Sequence, residues 1–121
     1  MPIDNPAPAL RLTVASHLLF AATSPTSWTD LDCSSIVGAR STLLLLAIVV
    51  DVNRRVCFRK NGDAGLYYDT GNVPKGVISA ERNGETYIVC MAPSDTSGKI
   101  EWRTEAPASA GASVRTIAYI N

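Results

Sequence analysis

Pro93-Ser94-Asp95-Thr96-Ser97-Gly98-Lys99-Ile100-Glu101-Trp102-Arg103-Thr104 holds the pattern that decides the fold. Its first half is turn chemistry: Pro fixes φ, Asp and Ser side chains bond nearby amides, and Gly accepts positive φ. Its second half alternates. Ile100 and Trp102 point one way and Lys99, Glu101 and Arg103 the other, which is the period of a half-buried strand. Working upstream, Asn83-Gly84 launches Glu85–Ala92, where Tyr87, Val89 and Met91 oppose Thr86, Ile88 and Cys90. Downstream, a small-residue loop from Glu105 to Ser113 precedes a last strand, Val114–Ile120.

The same grammar extends towards the N-terminus. Val56–Lys60 carries Val56 and Phe58 inward, follows a polar turn at Asp51–Arg55, and ends on Asn61-Gly62, a pair that tolerates positive φ. Asp63–Ala80 is loop-rich. Thr42–Val50 is apolar on both faces, as in a strand covered on two sides or engaged within an assembly. Ser34–Ser41 is a connection, and Trp28–Cys33 alternates with Leu31 and Cys33 opposite Asp30 and Asp32. Ser24-Pro25-Thr26-Ser27 is a turn. Leu10–Thr23 fits two periods. Leu10, Leu12, Val14, Leu18 and Phe20 alternate with Arg11, Thr13, His17 and Leu19, while Leu10, Val14, Leu18 and Ala22 also form a helical face. Neighbouring Thr and Val and the absence of caps favour a strand whose Leu10, Leu12, Val14, Leu18 and Phe20 face the core. Seven to eight short strands with turn signals between them predict an all-β, antiparallel, jelly-roll-like β-sandwich over residues 10–121. Trp28, Phe58 and Trp102 are its expected core anchors. Residues 1–9 carry Pro2, Pro6 and Pro8 and read as an extended arm. With Ile3 and Leu10 as apolar anchors, Pro2, Ile3, Pro6, Pro8 and Leu10 are the expected partner-binding residues.

Composition narrows the function. Of 121 residues, 46% are hydrophobic and 18% charged, with eleven Lys+Arg against eleven Asp+Glu. A neutral chain lacks the positive excess that nucleic acid or an anionic membrane demands. The low charge leaves a surface open to protein partners. Cys33, Cys57 and Cys90 form no CxxC pair and no cluster with His, so they read as reduced, buried thiols of a cytoplasmic product. The longest apolar run, Leu43–Val50, is far short of the about 20 residues a membrane helix needs. Leu18-Leu19-Phe20-Ala21-Ala22 is preceded by Asp4 and interrupted upstream by Ser16 and His17, a poor signal peptide.

Signals for chemistry are thin. Asp30 and Asp32 point the same way but bring too few oxygens for Ca²⁺. Asn61-Gly62-Asp63 lacks the acidic residue that completes an EF-hand, and Gly98-Lys99-Ile100 lacks the glycine spacing and Ser/Thr of a phosphate loop. His17 is the single His, so neither a triad nor a His-rich metal site has support. Trp28 and Trp102 have the rings to stack a sugar, although Trp in an alternating strand is more often a core anchor. Arg54-Arg55 and Arg59-Lys60 make a small basic cluster that reads as a solvated face. No cofactor, metal or catalytic residue is expected. Asp69-Thr70-Gly71 resembles the active-site triplet of aspartic proteases, whose retroviral form pairs two Asp that share a proton. Asn72 stands where that family carries Ala or Ser, and no apolar-apolar-Gly segment follows near the C-terminus.

Trp28-Thr29-Asp30-Leu31-Asp32, Val37-Gly38, Phe58-Arg59-Lys60-Asn61-Gly62, Ser97-Gly98-Lys99-Ile100-Glu101-Trp102 and Ala118-Tyr119-Ile120 together resemble small β-sandwich modules of tailed-bacteriophage virions. The resemblance covers the chain from Trp28 onward. It implies a virion structural protein without catalytic residues, either a capsid decoration (cement) protein or a tail-fibre tip. A compact module with an extended arm fits the cement protein. The implied partners are the major capsid protein and sister copies, as a homotrimer, on the capsid exterior after assembly in a bacterial cytoplasm. A receptor- or glycan-binding adhesin using Trp28, Tyr67, Tyr68 or Trp102 is the alternative, and the Asp69 protease the third reading.

Overall fold

The computed structural model describes residues 10–50, 56–64, 86–105 and 111–121. Seven strands lie among them: β1 (Leu12–Ala22), β2 (Thr29–Asp32), β3 (Leu43–Val50), β4 (Val56–Lys60), β5 (Thr86–Pro93), β6 (Lys99–Thr104) and β7 (Ala112–Ile120). They form two antiparallel sheets, ordered β1-β7-β3-β5 and β2-β6-β4. Each described strand lies in the opposite sheet from the one before it, which is the path of a jelly roll. The all-β sandwich expected from the alternation is therefore the fold.

The core lies between the sheets. From the four-stranded sheet, β3 contributes Leu44, Leu46, Ile48 and Val50, all fully buried, and β7 adds Val114. From the other sheet come Leu31, Phe58, Ile100 and Trp102. Trp102 stacks on Phe58 at 5.6 Å between ring centroids and meets Phe20 edge-on at 5.0 Å. Phe58 and Trp102 are thus core anchors. Trp28 is not: it sits half-buried just before β2, outside the core cluster, with the Arg59 guanidinium 3.9 Å above its ring. An Arg on the solvent side of β4 can reach that ring, and cation–π contact replaces burial between the sheets.

Two local readings differ from the structure. Ser34–Val37, expected as plain connection, forms a one-turn helix, α1, that sends Val37 and Ile36 into the core. The Asp32 carboxylate accepts the Ser34 amide at 2.9 Å, satisfying a donor at the start of that turn. The second difference concerns β1. It is a strand, but Leu12, Val14 and Leu18 are exposed rather than facing the core, and so is Leu10 before it. Its pairing with β7 shifts register between Val14 and His17 and again between Leu18 and Phe20. Val14 and Leu18 stay on the same side across the first shift, whereas the second inverts the alternation between Leu18 and Phe20. Phe20 and Leu19 pack on the core as a result, while Leu12 and Val14 point away. Buried Thr116 bridges the first bulge: its hydroxyl donates to the Ala15 carbonyl at 2.7 Å and accepts the His17 amide at 3.0 Å.

The turns follow the sequence closely. Asp95 accepts the Ser97 and Lys99 amides at 2.8 and 2.9 Å and the Asn61 side-chain amide at 3.2 Å. Gly98 has φ +78°, and a Cβ there would collide with the Gly38 carbonyl oxygen. Conformation and space both require glycine at that position. At Asn61-Gly62 the Asp63 amide donates to the Lys60 carbonyl at 3.0 Å, and Gly62 has φ +82°.

Candidate functional site: an apolar sheet face

The two outer faces of the sandwich differ in kind. On the three-stranded sheet, Asp30, Glu101 and Arg59 stand side by side across β2, β6 and β4, and Asp32 pairs with Lys99 in the next row. Arg59 Nε donates to the Glu101 carboxylate, an ion pair whose side chains are largely buried. Opposite charges on neighbouring strands neutralise and stabilise one another there.

The four-stranded sheet presents something else. Its outer face carries, row by row across β1, β7, β3 and β5, Leu12, Ile120, Leu43 and Pro93; then Val14, Ala118, Leu45 and Met91. The third row has Leu18, Arg115, Ala47 and Val89. Val14 is 78% exposed, Leu12 67%, Met91 58% and Leu18 53%. Apart from Arg115, the residues of these rows repeat on the outer face the apolar choice made for the core, which nothing in the sandwich itself requires. Charge enters the three rows only through Arg115. Leu10, 80% exposed, continues the surface just before β1. There Leu10, Leu43, Pro93 and Ile120, with Thr42, Ser94 and Asn121 behind them, line an open groove of about 380 Å³.

Leu10, Leu12, Val14 and Leu18 escaped sequence reasoning because the alternation in β1 assigned them to the core. A signal did exist: Leu43–Val50 is apolar without alternation, the mark of a strand covered twice. Of the expected partner-binding residues, Leu10 lies on this surface, whereas Pro2, Ile3, Pro6 and Pro8 lie outside the described residues. So do Asp69, Thr70 and Gly71, the aromatic pair Tyr67-Tyr68 and the basic pair Arg54-Arg55. His17 is exposed, its backbone amide held by Thr116.

Chemical groups in the described part are occupied with structure. Hydrogen bonds from Ser34 hold the Asp32 carboxyl below its usual range, and the Lys99 amide, with Ser97 and Asn61, does the same for Asp95. Burial pushes the thiols of Cys33, Cys57 and Cys90 up to about 12, where they are inert as nucleophiles and as metal ligands. Among the described residues no three His, Cys, Asp or Glu side chains gather to hold a metal ion, and no helix is long and apolar enough to cross a membrane. Comparison with protein-family models, curated proteins and solved structures gives no match.

Proposed function

We propose that the protein is a non-catalytic structural module that works by protein–protein contact, and specifically a capsid decoration protein of a bacteriophage virion. The observation that carries this reading is the apolar outer face of the four-stranded sheet. Contiguous exposed apolar surface on that scale marks an interaction site. The jelly-roll path supports it at the level of analogy, since that architecture recurs in viral capsid domains, and also in lectins. Neutral net charge favours packing against protein over polyanions, and inert thiols suit assembly in a reducing cytoplasm. In this reading the module sits on the capsid exterior and touches the major capsid protein and sister copies. Avidity over the lattice then gives firm attachment from modest individual contacts.

The test is co-sedimentation of the purified chain with capsids of a tailed phage whose genome encodes it. The reading expects saturable binding and shells that resist heat better when decorated. Deleting residues 2–9 should weaken attachment while leaving the melting transition in place. Absence of binding to such capsids, or binding to a glycan array lost on Trp28→Ala, would replace this reading with the adhesin.

A further inference from the structure

We infer that the outer face of the four-stranded sheet is a self-association surface, occupied by the same face of a second copy of this chain in a two-fold dimer. The inference rests on reading that face as a contact surface and adds the identity of its occupant. Three observations point to a sister copy.

The first is area. The exposed parts of Leu10, Leu12, Val14, Leu18, Leu43, Val89 and Met91 together present on the order of 800 Å², the share each partner contributes to a standard stable interface and more than the about 300–600 Å² of the largest patch on an ordinary monomer. The second is shape. A twisted sheet face packs well on another sheet face, about 10 Å away with strands near parallel, because both carry the same twist. The third is self-complementarity. Rows one and two hold no charged group, so a copy rotated about a two-fold axis that runs along the strands between β7 and β3 sets its own rows one and two on those of its partner, apolar on apolar. Arg115, in the third row, is exposed, and its long stem can carry the guanidinium towards water. One self-complementary patch per chain closes at two copies, whereas a ring of three needs two different patches. The charged face of the other sheet stays outside and keeps the dimer soluble.

Sedimentation equilibrium of the full chain, alone in buffer at tens of micromolar, is the test. The expected mass is that of two chains. Val14→Lys combined with Met91→Lys places charge on two side chains that make no core contact, so the fold, followed by circular dichroism, persists; dimerisation should weaken by about 100-fold or more. Asp30→Lys on the opposite face should leave the mass at two chains. A single-chain mass for the parent protein overturns the inference, as does a three-chain mass, or a double variant that still dimerises. A monomer that binds phosphatidylcholine vesicles through this face would assign it to lipid and also overturn the inference. A monomer captured on capsids, with capture lost in the double variant, would give the face to the capsid protein, overturning self-association while leaving the decoration reading in force. A dimer that ignores capsids supports the inference and removes the decoration reading.

Discussion

Replacing Trp102 by Ala probes the sandwich at the point where both sheets meet. The indole is fully buried, stacked 5.6 Å from the Phe58 centroid and 5.0 Å edge-on from Phe20. Truncating a buried Trp costs about 3–5 kcal/mol through lost transfer energy and the cavity left behind. The two ring contacts, about 0.5–1.5 kcal/mol each, push towards the upper part of that range. Opposing them, Trp102 Nε1 is buried with no hydrogen-bond partner among the described residues, so its removal relieves about 1 kcal/mol of desolvation. The net loss is about 4 kcal/mol, a large part of the 5–15 kcal/mol that stabilises a typical domain. In urea unfolding followed by far-UV circular dichroism, the midpoint should fall by about 2–3 M with an unchanged slope. Trp102→Phe keeps most of the ring packing and removes the unpaired N–H, so its cost should stay below about 2 kcal/mol. A loss under about 1 kcal/mol for the Ala variant would refute the placement of this ring between the sheets.

Other consequences follow from individual groups. Thr116→Val leaves the His17 amide and the Ala15 carbonyl at the bulge without their hydroxyl partner, and chemical denaturation should show a loss of about 1–3 kcal/mol, with Thr116→Ser close to the parent. Asp95 is held below its ordinary 3.8 by the amides it accepts, so the folded state binds that proton more weakly than the unfolded one. Its contribution is whole above the ordinary carboxylate range and is lost as pH falls through the lowered folded value. Asp95→Asn should flatten that part of the acid limb of stability against pH. The thiols of Cys33, Cys57 and Cys90, pushed to about 12 by burial, should ignore a thiol reagent at mildly alkaline pH in the native protein, and all three should titrate after denaturation. Prompt labelling of any one in the folded state would contradict its burial.

How far the sequence could be read depended on whether a strand kept its period. Lys99–Thr104 keeps it without interruption, and Ile100 and Trp102 fall in the core as the alternation requires. The turn before it is equally legible, because Asp95 and Gly98 do there what those residue types do by their chemistry. Leu12–Ala22 shows the limit. It carries two register shifts, the second of which inverts the sides, and no residue in it announces either; the partner that bridges the first, the hydroxyl of Thr116, lies far along the chain. Trp28 was misplaced for a related reason. An aromatic residue at the start of an alternating run resembles a core anchor, and its actual partner, Arg59, comes from another strand. Helix α1 is too short for any period to reveal it. The candidate site itself was half visible, in an apolar run that did not alternate. What the run could not convey is that β1, β7, β3 and β5 line up their second apolar faces into one surface.

Met91 reports on that surface directly, being 58% exposed in the isolated chain and standing at the β5 end of its second row. Oxidative footprinting of Met91 across a dilution series, read by mass spectrometry, measures whether the face is covered. The account predicts protection at high concentration, lost on dilution and absent in the Val14→Lys variant. Equal oxidation at every concentration, and no protection when capsids are added, would contradict it.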